Sequence, residues 1–178
     1  MLDDLYYSLP RVVTLERNEK GQIRCNLKVA ADELVGPEQF EFVRTISSGG
    51  FGVVNLCKSR NLGKVPDGKE IAIKLFTRGE GTDPKEKLSD ARLKSIESEL
   101  NYTRIFKHPN IVGYYGILSP TTGQIGLVME YLDGGTVFDV LYSKKNVIPL
   151  AFRRTWCTQL IKAADYLHNE CAPYRFIH

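Results

Sequence analysis

Apolar and polar positions alternate, or form short apolar runs, in five segments of this chain of 178 residues. Such segments are typical of β-strands. They cover residues 42–46, 53–57, 70–76, 111–118 and 124–130. Between the third and the fourth segment, Leu93, Ile96 and Leu100 recur at helical spacing, and Ser89 or Asp90 is suited to cap that helix. The order predicts an α+β fold in which one helix packs against a five-stranded antiparallel sheet.

The pattern becomes helical after Asp133-Gly134-Gly135. A short helix is predicted over residues 136–142, and a longer one after Pro149. The longer helix carries its apolar residues on one face: Phe152, Trp156, Leu160, Ala163 and Leu167. These residues predict the beginning of a separate helical region.

Residues 1–39 carry only short patterns. Two apolar segments, 12–15 and 23–27, flank a turn-like cluster at 18–21 and predict a hairpin. We interpret this part as an N-terminal extension that packs on the domain behind it. The predicted domains are therefore 1–39, 40–132 for the sheet with its helix, and 133–178 for the helical part.

Composition narrows the function classes. The net charge of +3 is small, and the Lys and Arg residues are scattered, which argues against nucleic acid as a partner. The four cysteines lie far apart without zinc-ligand spacing, as in a reduced, cytoplasmic protein. The acidic N-terminus is unlike a signal peptide, and no apolar run is long enough to span a membrane. We therefore expect a soluble protein, without a metal site.

Three features point to chemistry. The turn Gly49-Gly50-Phe51-Gly52 interrupts two strands, and its backbone N–H groups can approach a phosphate because no Cβ intervenes. Lys74 lies among apolar strand residues; it either meets a fixed anion or points to solvent from an edge strand. Glu99 follows on the helix, where it is either that anion or, as expected for Glu97, one more solvated carboxylate.

Two other phosphate-binding motifs are excluded. The glycine-rich motif of dinucleotide-binding domains opens a helix, whereas residues 53–57 have a strand pattern. The P-loop requires Gly-Lys-Ser or Gly-Lys-Thr, which the chain lacks. A dinucleotide-binding domain also needs parallel strands with helical crossovers, and the predicted order does not supply them.

Taken together, these features resemble the protein kinase family. Residues 46–54 are similar to its glycine-rich loop, Ile71-Ala72-Ile73-Lys74 to its V-A-I-K strand, and Glu99 to the acidic partner on the next helix. Further matches follow in order along the chain. They are the His-Pro-Asn-Ile-Val run at 108–112, the hinge-like segment 127–135, Tyr166-Leu167-His168 and the Ile177-His178 start of a catalytic loop.

The resemblance implies an ATP site and a role for each matching residue. Gly49, Gly50, Phe51 and Gly52 would cover the phosphates, and Lys74 would bind the α- and β-phosphates while an ion pair with Glu99 holds it. The adenine and ribose contacts implied by the resemblance are Ile46, Val54, Ala72, Met129 as gatekeeper, the main chain of Glu130 and Leu132, and Thr136. Thr136 could equally be the N-cap of the short helix.

Two departures from the family pattern affect the expected activity. Ser47 replaces the first glycine of the loop, and we expect it to fit an extended strand end and to weaken nucleotide binding modestly. The Arg-Asp that follows Ile-His, the magnesium-binding Asn and the Asp-Phe-Gly are not among residues 1–178. Phosphoryl transfer by the parent protein would use Mg²⁺. Lys74 and Glu99 would supply only part of the positioning of the phosphates that this reaction needs.

We therefore expect this chain to be the ATP-binding part of a protein kinase and to be inactive by itself. Its parent would phosphorylate Ser or Thr hydroxyls, with Tyr as the alternative. The face bearing Phe152, Trp156 and Leu160 would be covered by the rest of the kinase or by a partner protein. The competing hypothesis is a non-catalytic, kinase-like scaffold that uses this face for interaction.

Overall fold

A computed structural model of the chain describes residues 12–17, 19, 23–50, 52–76, 89–118, 124–142 and 148–171. Its strands are β1 Val13–Arg17, β2 Ile23–Leu27, β3 Leu34–Val35, β4 Phe40–Gly49, β5 Gly52–Ser59, β6 Glu70–Leu75, β7 Tyr114–Leu118 and β8 Gly126–Glu130. Its α-helices are α1 Asp90–Ile105, α2 Val137–Tyr142 and α3 Leu150–Asp165, and a π-helical turn, Tyr166–Glu170, follows α3. Some predicted features lie outside the described residues: most of the turn at 18–21, Phe51 and the Ile177-His178 motif.

Two compact units make up the described residues. One contains β1 to β8 and α1, and the other contains α2 and α3 together with residues 107–112. Along the chain, the strand-rich unit ends at Tyr131 and the helical unit continues from Leu132.

The main sheet has the strand order β3-β7-β8-β6-β5-β4. Five of these strands pair antiparallel, which confirms the predicted sheet, and β5 and β6 pair with Val54 opposite Lys74. The sixth strand, β3, was not predicted; it comes from the N-terminal extension and pairs parallel with β7. A strand of two residues is too short to show a period in the sequence.

Alternate residues of each strand face opposite sides of the sheet, and each side packs a core. On one side, α1 buries Leu93, Ile96 and Leu100 against Leu127 and neighbouring apolar residues of the sheet. On the other side, a second cluster is built from eight buried residues: Val35, Cys57, Leu62, Val65, Ile71, Ile73, Leu118 and Val128. The sheet is therefore covered on both faces, which fixes its register.

The predicted N-terminal hairpin is present. β1 and β2 pair antiparallel, with Val13 opposite Leu27 and Arg17 opposite Ile23. Val13 and Leu15 are buried in the same core as α1. The extension therefore packs on the domain that follows it, as the sequence predicts.

The helical unit starts its helices where the sequence predicts them, at Val137 and immediately after Pro149. On α3, Ala163 is buried, Trp156 is half-buried, and Phe152 and Leu160 are exposed by 59% and 72%. His108 stacks on Tyr166 with ring centroids 5.0 Å apart, and the Tyr166 hydroxyl accepts a hydrogen bond from Lys107 N. None of the helices in the described parts of the chain combines the length and the apolar character that a membrane span needs.

Candidate functional site

Lys74 lies on an interior strand. β6 has β5 on one side and β8 on the other, so the alternative of an edge-strand lysine pointing to solvent is wrong. The neighbours Ile73 and Phe76 are 1% and 5% exposed. An ammonium group on such a strand loses hydration and needs an anionic partner.

Glu99 is that partner. Its Oε1 accepts a hydrogen bond from Lys74 Nζ at 2.5 Å, and the two side chains are only 34% and 21% exposed. The ammonium also lies 5.1 Å from the centroid of the Phe76 ring, within cation–π range. The sheet and α1 together therefore hold a positive charge at a fixed position.

Helix α1 presents Glu99 because of its cap and its apolar stripe. Ser89 accepts a hydrogen bond from Arg92 N, which confirms it as the N-cap. Leu93, Ile96 and Leu100 lie on the sheet side. Glu99 precedes Leu100 and lies on the flank of this stripe, where its side chain reaches Lys74 of β6.

The glycine-rich turn joins β4 to β5, next to the Lys74 position. Gly49 pairs with Gly52 at the end of this hairpin, and Val54, two residues further on, is opposite Lys74. Two strand residues span about 7 Å. Gly52 has a φ of 125°, and a Cβ there would overlap the carbonyl oxygen of Leu75, whereas the space at Gly49 and Gly50 is open. Ser47 lies in β4 opposite Val54, as expected for an extended conformation.

Four of the residues assigned to ATP by resemblance share one face of the sheet. Ala72 and Lys74 are two positions apart on β6, and cross-strand pairs place Val54 opposite Lys74 and Met129 opposite Ala72. Residues two apart on a strand and residues directly opposite on neighbouring strands point to the same side. Ala72 is buried and Met129 packs against the core under α1, so these neighbours of the Lys74 ammonium on this face are apolar.

The other predicted contacts are placed as follows. Ile46 is 38% exposed and is the extra residue at a bulge of β4 between Thr45 and Ser47. Glu130 is tied to Gly113 twice, because its N–H donates to Gly113 O at 2.8 Å and its Oε2 accepts from Gly113 N at 3.1 Å. The Glu130 N–H is therefore occupied within the protein.

Leu132 and Thr136 belong to the helical unit, and Leu132 is 59% exposed. Thr136 Oγ1 accepts a hydrogen bond from Asp139 N, and Asp139 Oδ2 accepts from Thr136 N. This reciprocal pair is a capping box, so the N-cap role of Thr136 is real. The Thr136 hydroxyl also donates to Asp139 Oδ2 at 2.6 Å, and this bond, together with the one from Thr136 N, holds the pKa of Asp139 below its usual range.

Sequence reasoning missed a set of polar residues that connect the extension to α1. Glu97, predicted to be solvated, accepts a hydrogen bond from Leu15 N at 3.4 Å. Asn101 is 6% exposed and bonds to the backbone of Val13. In a single sequence, polar residues at positions 97 and 101 look like ordinary exposed helix residues. Only their i, i+4 spacing beside the apolar stripe could have indicated that they share a contact.

Metal ligands are not gathered in this site. Among the residues that the structure describes, no group of three or more His, Cys, Asp or Glu side chains could hold a metal ion. The cysteines are free thiols, and burial raises the pKa of both Cys25 and Cys57 to about 11. These two thiols are therefore protonated at neutral pH.

Comparison with known proteins agrees with this geometry. Residues 40–178 match the family described as "Protein kinase domain". The chain is 32% identical over 133 residues to "Probable serine/threonine-protein kinase MARK-A" of Dictyostelium discoideum, a match that covers 75% of this chain and 11% of that protein. It is 29% identical over 137 residues to "CBL-interacting protein kinase 32" of Oryza sativa subsp. japonica, covering 77% of this chain and 28% of that protein.

A further relative is "Serine/threonine-protein kinase SAPK9" of Oryza sativa subsp. japonica, 29% identical over 162 residues, which cover 90% of this chain and 39% of that protein. The chain thus spans well under half the length of each of these relatives. The matched region begins at β4 and includes the hairpin, Lys74 and Glu99. The chain belongs to the protein kinase family.

Proposed function

We propose that this chain is the ATP-binding part of a protein kinase whose parent transfers the γ-phosphate of ATP to Ser or Thr hydroxyls of proteins, with Tyr as the alternative acceptor. The observation that carries this proposal is the 2.5 Å contact between Lys74 and Glu99 beside the glycine hairpin. The names of the relatives, which specify serine/threonine kinases, support the choice of acceptor.

The phosphates of ATP fit the fixed ammonium. A positive charge held by a carboxylate keeps its position while a second, stronger anion binds next to it, and its energetic cost of ordering is already met before ATP arrives. Lys74 would bind the α- and β-phosphates, and the backbone of Gly49, Gly50, Phe51 and Gly52 would cover them from the hairpin. Here Glu99 acts on the nucleotide only through Lys74.

The adenine would lie against the apolar face next to this charge, with Val54 and Ala72 packed on it from above. Because the Glu130 N–H is occupied by Gly113, the Glu130 carbonyl is the group that would accept a hydrogen bond from the adenine amine. Leu132 N–H would donate to the ring. Met129, as gatekeeper, would limit the depth of the adenine pocket. Ile46 would contact the nucleotide at the edge of this pocket, and Thr136 would contact the ribose.

Phosphoryl transfer needs metal charge and an oriented hydroxyl in addition to this positioning. When bound, Mg²⁺ neutralises charge that develops on the phosphates. The catalytic Asp and the Asp-Phe-Gly that would supply these functions are not among residues 1–178. Transfer is therefore proposed for the parent, and the 178-residue chain is proposed to bind ATP without transferring phosphate. A cytoplasmic location is part of this proposal, since the cysteines are free thiols.

The second candidate function is a kinase-like scaffold. The exposure of Phe152 and Leu160 on α3 supports it, because a contiguous apolar face is a docking surface for the remainder of the kinase or for a partner protein. Size-exclusion chromatography separates the two candidates. A scaffold elutes as a defined complex formed through α3, whereas a kinase part whose α3 face is left uncovered aggregates.

Thermal melting with and without Mg-ATP tests the main proposal. At about 100 times its dissociation constant, a ligand stabilises a protein by about 2.7 kcal/mol, so the melting temperature of the wild type should rise by several degrees. Lys74→Ala should abolish the rise. Lys94→Ala, which removes an exposed lysine of α1, is the matched control and should keep it.

An equal rise in Lys74→Ala would contradict the assignment of the site. Incubation with labelled ATP and a mixture of protein substrates tests the second part. We expect no transfer by the 178-residue chain, and any transfer that depends on Lys74 would show that the residues present suffice for catalysis.

A further inference from the structure

The N-terminal extension contacts α1 along its whole length. Four residues of α1, spread from its first turn to its last, contact the segment 12–35. Arg17 pairs with Asp90 at 3.5 Å, Leu15 N donates to Glu97, the backbone at 12 and 13 bonds to Asn101, and Glu33 pairs with Arg104. The extension therefore binds the first turn, the middle and the last turn of the helix.

Asn101 makes the densest of these contacts. Its Oδ1 accepts from Val12 N at 3.2 Å and from Val13 N at 3.1 Å, and its Nδ2 donates to Val13 O at 2.9 Å and to Glu97 O at 2.8 Å. Both donors and both acceptor positions of the amide are used. An amide that is 6% exposed and fully bonded in this way fixes the distance between β1 and α1.

The pairing of β1 with β2 explains why the N–H groups of Val13 and Leu15 are available to the helix. Lys28 N donates to Val12 O, so residue 12 and its even-numbered successors direct their carbonyls towards β2. Val13 and Leu15 consequently direct their N–H groups to the other edge of β1, where Asn101 and Glu97 receive them. The helix side chains thus occupy the place of a third strand.

Helical geometry connects this attachment to Glu99. With 3.6 residues per turn, positions 90, 97, 101 and 104 form one stripe along α1. The apolar stripe of Leu93, Ile96 and Leu100 lies next to it and packs on the sheet. Glu99 lies on the far flank of the apolar stripe. The extension and Lys74 therefore hold opposite flanks of the same helix.

We propose that residues 12–35 form a brace that positions α1 for the Lys74–Glu99 ion pair, with Asn101 as its central positioning residue. The hydrogen bonds and ion pairs of the brace are directional and resist rotation of α1 about its axis, whereas the apolar contacts of α1 with the sheet are not directional. A small rotation would carry Glu99 away from Lys74 Nζ. The consequence for nucleotide affinity rests on the proposed function, because it assumes that ATP binds at Lys74.

A double-mutant cycle measured without nucleotide tests the positioning itself. The four chains are wild type, Asn101→Leu, Glu99→Gln and the double variant, each compared by melting temperature. If the brace positions Glu99, Glu99→Gln lowers the melting temperature of the wild type and lowers that of Asn101→Leu by less than half as much. Full additivity, or no effect of Glu99→Gln in either background, overturns the proposal.

Mg-ATP affinity provides the second readout. A variant in which only about a tenth of the molecules keep Glu99 in place binds about tenfold more weakly, and this is the effect expected for Asn101→Leu. Leu62→Ala is the matched control, because Leu62 is buried in the core on the opposite face of the sheet. It should lower the melting temperature and leave the ATP affinity unchanged.

The two readouts separate the two proposals. If ATP binds in a Lys74-dependent way and Asn101→Leu binds it as tightly as the wild type, the brace is wrong and the proposed function stands. If the wild type does not bind ATP while the cycle is non-additive, the proposed function is wrong and the brace stands. An equal loss of ATP affinity in Leu62→Ala would also contradict the brace, because the effect would then follow general stability.

Discussion

Gly52 shows how a residue of the glycine-rich turn can be required by the fold itself. Its φ of 125° is rare for residues with a side chain, and a Cβ would overlap the backbone oxygen of Leu75 on the neighbouring strand. Gly49 and Gly50 have no atom within 4 Å of the corresponding position. The three glycines are alike in the sequence, yet only Gly52 is needed for β5 and β6 to pair.

We therefore predict that Gly52→Ala destabilises the chain by about 1–3 kcal/mol, through backbone strain and a forced shift of β6. Gly49→Ala and Gly50→Ala should stay within about 0.5 kcal/mol of the wild type. Urea unfolding in the absence of nucleotide measures the three free energies. Equal destabilisation by all three substitutions would contradict this distinction.

Gly116 has a comparable role at the level of elements. A Cβ at Gly116 would lie 2.6 Å from the carbonyl oxygen of Glu33 and 2.7 Å from Cγ2 of Val35. Both atoms belong to the extension, where Leu34 and Val35 pair with β7. The missing side chain in β7 is what allows β3 to join the sheet.

Gly116→Ala is expected to detach β3 from β7 and to destabilise the chain by about 1–3 kcal/mol, as overpacking does. Hydrogen–deuterium exchange should increase at residues 34–39 more than at β8. The matched control is Gly113→Ala, because the nearest atom to a Cβ there is 3.5 Å away, an ordinary contact distance. Uniform exchange across the sheet in Gly116→Ala would show that β3 is not the element displaced.

The elements that could be predicted are those with enough residues to show a period. The strands of the main sheet from β4 onwards and the three α-helices follow from alternation, helical spacing and the Gly or Pro residues that bound them. β3 could not be found because two residues have no period, and its pairing depends on an absent side chain at Gly116. The contact of Lys74 with Glu99 was predicted only through family resemblance, since nothing local distinguishes Glu99 from Glu97.

At the scale of the whole molecule, one charged cluster joins three parts of the strand-rich unit. Glu33 precedes β3, Arg104 lies in the last turn of α1, and Tyr114 begins β7. The carboxylate accepts from Arg104 Nε at 2.6 Å and Nη2 at 2.9 Å, and from the Tyr114 hydroxyl at 3.0 Å. Only 12% of the Glu33 side chain is exposed. A paired, nearly buried carboxylate of this kind ties the stability of the unit to pH.

The sign of that dependence follows from the ionised form. The hydrogen bond from Arg104, and to a lesser degree that from Tyr114, lowers the pKa of Glu33 below its usual range. A carboxyl whose pKa is lower in the folded chain contributes stability at every pH above its unfolded value of about 4.3, and this contribution is lost as pH falls through the folded value. At acidic pH, protonated Glu33 therefore ceases to hold Arg104.

Glu33→Gln should consequently cost about 1.5–3 kcal/mol at pH 7, the range for hydrogen bonds to charged groups, and progressively less below about pH 4. Urea unfolding of both chains between pH 7 and pH 3 measures the difference. Glu41→Gln is the control, because it breaks a 2.6 Å pair with Arg60 whose side chains are more than half exposed, and such pairs contribute little. A pH-independent difference between the wild type and Glu33→Gln would mean that packing of the side chain, and not its charge, holds the extension, the helix and the sheet together.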